Sequence, residues 1–159
     1  MKYDRIVAEY LSSGRSQSFG AADEDLAIVE VAVDYAKYAK RYYGTARTSE
    51  YHKILRVIRP VRQLYGRTAA AEFGPLQFKA IRQRLIDDRL SRTYINEFMR
   101  RVVAMFKWAA AEGRIPAAVP QTLALIPGLR LGKTEARETA PVRPVDDAVV
   151  EATLPFCLR

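Results

Sequence analysis

The stretch that most constrains the fold is Ser91–Gly113, SRTYINEFMRRVVAMFKWAAAEG. Its apolar residues fall at Ile95, Phe98, Met99, Val102, Met105, Phe106 and Ala109. Steps of three and four place them on one side of an α-helix, and no strand register satisfies that spacing. Arg92, Asn96, Arg100 and Lys107 form a neighbouring stripe, also one-sided. Ser91 suits an N-cap, because its hydroxyl can accept a backbone N–H left free in the first turn. Gly113 can leave the helix through the left-handed region. A helix with one oily face cannot stand alone in water, so the rest of the chain must supply partners for it.

Three other segments repeat the pattern. From about Glu24 to Tyr43, Ile28, Val31, Ala32, Tyr35, Tyr38, Ala39 and Tyr42 share a side. Asp23, Glu24 and Asp25 at its start and Lys37, Lys40 and Arg41 at its end suit the helix dipole. The tyrosine stripe reads as core packing in preference to a base-stacking platform. From Glu50 to Tyr65, capped by Thr48 or Ser49, the buried side is Tyr51, Ile54, Leu55, Ile58, Val61 and Tyr65. Pro60 removes a backbone donor and crowds the preceding turn, which predicts a kink within this helix. From Pro75, a favoured first-turn residue, Phe78, Ile81, Leu85 and Ile86 form a third apolar side, with Phe73 and Leu76 near its start. No strand pair with hairpin chemistry appears. The expected fold is all-α, a compact bundle of four main helices.

The flanks differ from this core. Residues 1–22 contain a weakly amphipathic opening and a Gly/Ser loop. Residues 23–115 hold the helical domain. In residues 116–144 prolines and glycines predict a linker, with one short helical piece at Gln121–Ile126. Residues 145–159 open a further amphipathic helix, as the start of another domain would.

Charge is distributed unevenly. Residues 1–36 hold 3 basic and 7 acidic residues, residues 37–114 hold 18 and 6, and residues 115–159 hold 5 of each. The whole excess of +8 is thus carried by the middle helices, the footprint of a phosphate-binding face. On the second helix His52, Arg56 and Arg59 align, flanked by Lys53. Arginine offers a planar fork that matches phosphate oxygens or the edge of guanine. On the fourth, the amide of Asn96 between Arg92 and Arg100 can pair with adenine or hold a phosphate. The candidate DNA-binding set is therefore His52, Lys53, Arg56, Arg59, Arg92, Asn96, Arg100 and Lys107. The reading requires Arg56, Arg59, Arg92 and Arg100 to share one side, free of carboxylates.

Catalytic equipment is sparse. The single histidine and single cysteine, His52 and Cys157, have no metal-site spacing. The glycines stand singly, with no phosphate loop, and no hydrolase triad can be assembled. Catalytic residues, metal ligands and cofactors are therefore expected to be none. No apolar run approaches the roughly 20 residues that span a bilayer, and no signal peptide is recognisable. A cytoplasmic protein with no membrane partner is the default.

The Ser91–Arg92 turn with Ile95–Asn96, the run Phe106–Lys107–Trp108–Ala109 ending at Gly113, the segments Leu64–Gly66 and Glu72–Leu76, and the proline-rich exit toward Pro144 carry a resemblance. They resemble the N-terminal core-binding domain of tyrosine recombinases, the phage-integrase family, over roughly residues 1–145. The resemblance implies a SAM-like helical domain that forms half of a clamp around double-stranded DNA, in a bacterial, phage or mobile-element protein. It implies that the second and fourth helices approach the major groove, and that protomers touch in a recombination complex. The family's catalytic residues find no match here, since His52 is followed three residues later by Leu55 rather than arginine. They are expected beyond Arg159, so this chain is expected to bind DNA without cutting or joining it. A helical module whose basic face meets an acidic protein is the alternative, and an enzyme with an unrecognised site comes third.

Overall fold

The computed structural model describes residues 26–47, 49–140 and 144–157. The described residues form six α-helices and no strand. They are α1 (Ile28–Tyr43), α2 (Glu50–Tyr65), α3 (Pro75–Asp87), α4 (Arg92–Ala111), α5 (Ala118–Ala124) and α6 (Asp147–Cys157), with a 3₁₀ turn at Ala70–Glu72. The protein is an all-α bundle. Asp23, Glu24 and Asp25, with the dipole role expected of them, and Thr48, with its expected capping role, lie outside the described residues.

Helix α4 is the axis of the bundle. It packs against α1, α2, α3 and α5. The side chains it buries are Ile95, Phe98, Met99, Val102, Met105, Phe106 and Ala109, the same set that the spacing picks out. Phe106 is fully buried and stacks on Phe73 at 4.6 Å and 12°. Around it close Val31, Ala32 and Tyr35 of α1, Ile54, Val57, Ile58 and Val61 of α2, and Phe78, Ile81 and Leu85 of α3.

The ends of α4 are set locally. The Ser91 hydroxyl accepts the Tyr94 N–H at 3.4 Å. At the other end Gly113 has φ +69°, its N–H reaches the Ala110 carbonyl, and the Arg114 N–H reaches that of Ala109. This left-handed exit satisfies two carbonyls that the helix leaves free. Helix α3 closes the same way, but on Arg89 with φ +59°, a conformation that costs a non-glycine residue about 1–3 kcal/mol. Helix α2 runs through Pro60 without interruption. Gly66 ends α2 in a right-handed conformation, where a Cβ would lie 2.4 Å from the Arg62 carbonyl oxygen. Here glycine is required by close approach rather than by a positive φ.

The expected linker is different in the structure. α5 starts three residues before the predicted Gln121–Ile126 piece, and the chain after it folds back along α4. Arg82 Nη1 donates to the Pro127 carbonyl at 3.0 Å, the Arg92 N–H donates to the Arg137 carbonyl at 2.9 Å, and Arg137 Nε donates to the Arg89 carbonyl at 3.3 Å. Ala136 is buried, and Ile126 and Leu129 pack on the core. Residues 126–138 therefore form a strap across the body rather than an extended tether. By contrast, α6 is exposed along Asp147–Phe156.

Truncation should separate core from surface. Phe106→Ala is expected to lower unfolding stability by about 3–5 kcal/mol, while Leu76→Ala, at an exposed position, should change it by less than about 0.5 kcal/mol. Denaturant unfolding measures both, and similar losses would contradict the packing described.

Candidate nucleic-acid interface

Packing α2 beside α4 brings their polar flanks together. Between them lies a groove of about 360 Å³, lined by Lys53, Arg56 and Val57 from α2 and by Tyr94, Glu97, Phe98 and Arg101 from α4. Tyr94 is 43% exposed and leans on Phe98. Arg56 and the neighbouring Arg59 are exposed, and among the described residues no carboxylate lies within 4 Å of either.

The organising cation is Arg101, which the sequence pattern does not single out. Its side chain is only 18% exposed. Nε donates to Glu50 Oε1 at 2.7 Å, and Nη1 pairs with Glu97. Glu50 also takes Lys53 at 3.2 Å, and Glu97 also takes Arg100. Three cations are thus threaded on two carboxylates, and the network ties the start of α2 to the middle of α4. Glu97 four residues before Arg101 is the signal that could have found it; the partner Glu50 is 51 residues away.

Three candidate residues are used otherwise. Asn96 Nδ2 donates to the Leu129 carbonyl at 3.0 Å, and Asn96 Oδ1 accepts the Leu129 N–H at 2.8 Å. Its amide is therefore spent on the strap and does not face a base. Arg92, only 20% exposed, donates from Nε to Glu138 Oε1 at 2.7 Å. Asn96 and Arg92 were predicted as contacts because helical spacing puts them beside Arg100; spacing does not reveal a chain segment returning from residues 127–138. His52 is half-buried, with Nε2 3.2 Å from the Thr45 carbonyl, so it closes the α1–α2 turn.

The remaining candidates divide between two sides of α4. Lys53 and Arg56 line the α2–α4 groove. Arg100 and Lys107, with Arg82, rim a second cavity of about 580 Å³ over Phe78, Met99 and Val103. The four arginines expected on one free side are therefore split. Arg56 and Arg59 are free of carboxylates among the described residues; Arg92 and Arg100 have partners. The Arg100–Glu97 pair is exposed, Arg100 to 77%, and pairs of this kind are worth only about 0.2–0.5 kcal/mol, so a phosphate can recruit Arg100 cheaply.

Among the described residues no three His, Cys, Asp or Glu cluster as a metal site would need, and no helix is long and apolar enough to cross a membrane. No protein-family model, no curated protein and no solved structure matches this chain.

Two outcomes follow. Burial pushes the Glu50 carboxyl up, but hydrogen bonds from Arg101 and Lys53 outweigh it and hold it below its ordinary value of 4.5. A depressed carboxylate stabilises the fold above its unfolded pKa, and this is lost as pH falls through the folded one. The stability margin of the native chain over Glu50→Gln should therefore be full above pH 4.5 and shrink below it, as read from urea midpoints; a margin independent of pH would remove the network's role. Asn96→Ala should cost about 1–3 kcal/mol and speed hydrogen exchange at the Leu129 amide, since both strap bonds go.

Proposed function

We propose that this helical body grips duplex DNA, as the core-binding module of a tyrosine recombinase acting in the cytoplasm on site-specific recombination and DNA integration. The observation that carries the reading is the α2 face. Lys53 and Arg56 line a groove whose far wall presents the exposed Tyr94, Arg59 is exposed one turn further along α2, and this helix belongs to the segment that holds the chain's whole positive excess. Clustered, exposed guanidinium groups bind phosphates, and a half-exposed aromatic at the groove lip can touch a sugar or a thymine methyl. The resemblance to integrase core-binding domains supports the same two helices. The four-arginine face that the sequence reading required is not met, since Arg92 and Arg100 pair with carboxylates; the interface is therefore narrowed to Arg56 and Arg59 as primary contacts, with Arg100 and Lys107 secondary, while Asn96 and Arg92 hold the strap. Strand cleavage is assigned to no residue of this chain.

One observation favours the runner-up, a helical module for an acidic protein. Glu50 and Glu97 give the groove mixed sign, which suits a protein surface better than a phosphate backbone.

Duplex titration at two salt concentrations separates the two. With four phosphate contacts, affinity should fall by about two orders of magnitude between roughly 50 and 200 mM salt, by counterion release. Arg56→Ala and Arg59→Ala should each weaken binding and reduce the salt slope by about one. An absence of duplex binding at low salt, or a slope untouched by either substitution, would refute the proposal.

A further inference from the structure

The aromatic stripe of α1 does not end in the core. Tyr35, buried, packs against Trp108 of α4 at 5.4 Å; Trp108 stacks with Tyr38 at 5.5 Å and 28°; Tyr38 stacks with Tyr42 at 5.6 Å and 20°. The inner rings are explained by packing. Tyr42 is not, since it is 69% exposed, and Tyr43 stands edge-on beside it at 4.8 Å and 80°. The column thus delivers two aromatic rings to water at the last turn of α1, a costly placement for apolar surface that no described residue covers.

The surroundings are cationic. Lys40 and Arg41 share that last turn and are exposed, and among the described residues no carboxylate lies within 4 Å of either. An open concavity of about 820 Å³ meets the column at Trp108 and is walled further by Lys40, Arg41, Lys37 and Arg114, with Asp34 and Glu112; Tyr42 and Tyr43 stand outside its lining, on the same last turn as Lys40 and Arg41. Asp34 is already engaged by Lys37 at 3.0 Å and by Arg114, which leaves Lys40 and Arg41 as the available cations. The helix dipole accounts for cations at this end of α1, but it does not account for exposed aromatic rings among them.

We propose that this corner binds an unpaired nucleic-acid strand, with a base stacked on Tyr42 and the adjoining phosphates held by Lys40 and Arg41. Bases in a duplex are already stacked on one another and present no free ring face to a side chain on the outside. An unpaired strand offers both the π-face and the phosphate that this corner complements. The site is distinct from the α2 arginines and stands or falls without them.

The test uses the full chain and a labelled strand of about twelve thymidine nucleotides, within the range that one stacking surface engages, followed by anisotropy at fixed salt. Tyr42→Ala should weaken binding about 5- to 100-fold, the loss of one base–aromatic stack, while Tyr42→Phe should retain it. Lys40→Ala with Arg41→Ala should flatten the salt dependence, and Trp108, the only tryptophan, should change its emission when the strand binds. Duplex affinity should be unchanged by Tyr42→Ala, and strand affinity unchanged by Arg56→Ala. That crossing pattern keeps failure of this site separate from failure of the duplex reading. A uridine strand of the same length then shows whether the sugar is discriminated, with the same Tyr42 dependence expected. Equal strand affinity of Tyr42→Ala and the native chain would overturn the proposal, as would equal binding of an abasic strand. A change in self-association with no change in strand binding would overturn it too, and would make the corner a contact between copies.

Discussion

Removal of one face of α4 from water is the constraint on which the rest of the structure depends. Seven side chains of that helix leave solvent together, and no single neighbour is wide enough to cover them. Four helices are therefore drawn around it, each contributing part of the wall. Phe73, on the connection between α2 and α3, fills the remaining gap over Phe106 and makes that connection part of the core. Because each outer helix touches the central one, the polar flanks between them become grooves, and the grooves are where charge can face a partner.

Two kinds of polar glue hold this arrangement. Arg101 joins α2 to α4 through Glu50 and Glu97, partly shielded from water and so less screened than the exposed pairs of Lys37 and Arg84. The strap is held chiefly by backbone groups, through Asn96, Arg82 and Arg137, with the Arg92–Glu138 ion pair at its end. The strap's contact with the Arg89 carbonyl holds a residue in left-handed geometry, so a local strain and a long-range contact fall on the same point. At the α3–α4 corner, turn, cap and strap depend on one another.

The helices were legible from spacing because burial enforces it. The α4 face was read residue by residue, and so was α3's Phe78, Ile81, Leu85 and Ile86. On α2, Val57 is buried and Leu55 only half-buried, because α2 packs chiefly against α1 and also meets α4 and α3, so its apolar arc does not follow the one stripe expected. The stripe on α1 was legible only in part: Tyr35 is core, Tyr42 is surface, and the period that joins them does not say where the neighbouring helix ends. The strap was not legible. Its prolines, glycines and charges have the composition of a tether, and what docks it is backbone hydrogen bonding to side chains about 33 to 48 positions away. The same contacts explain why the candidate site was only partly foreseen. Helical spacing says which residues share a flank, whereas the identity of the group facing that flank is a long-range fact.

The double hydrogen bond between Asn96 and Leu129 has a further consequence. An asparagine side chain presents the same donor and acceptor pair as a peptide unit, so α4 reads the strap as a strand reads its neighbour, through a single rung. The rung has a polarity: an aspartate lacks the donor and a leucine lacks both. It also has a position, because Gly128 sits where a Cβ would come within 3.1 Å of the Asn96 amide oxygen. A strap shifted by one residue would bring a side chain to that spot and lose the rung. One amide thus fixes the alignment of a segment that has no secondary structure of its own.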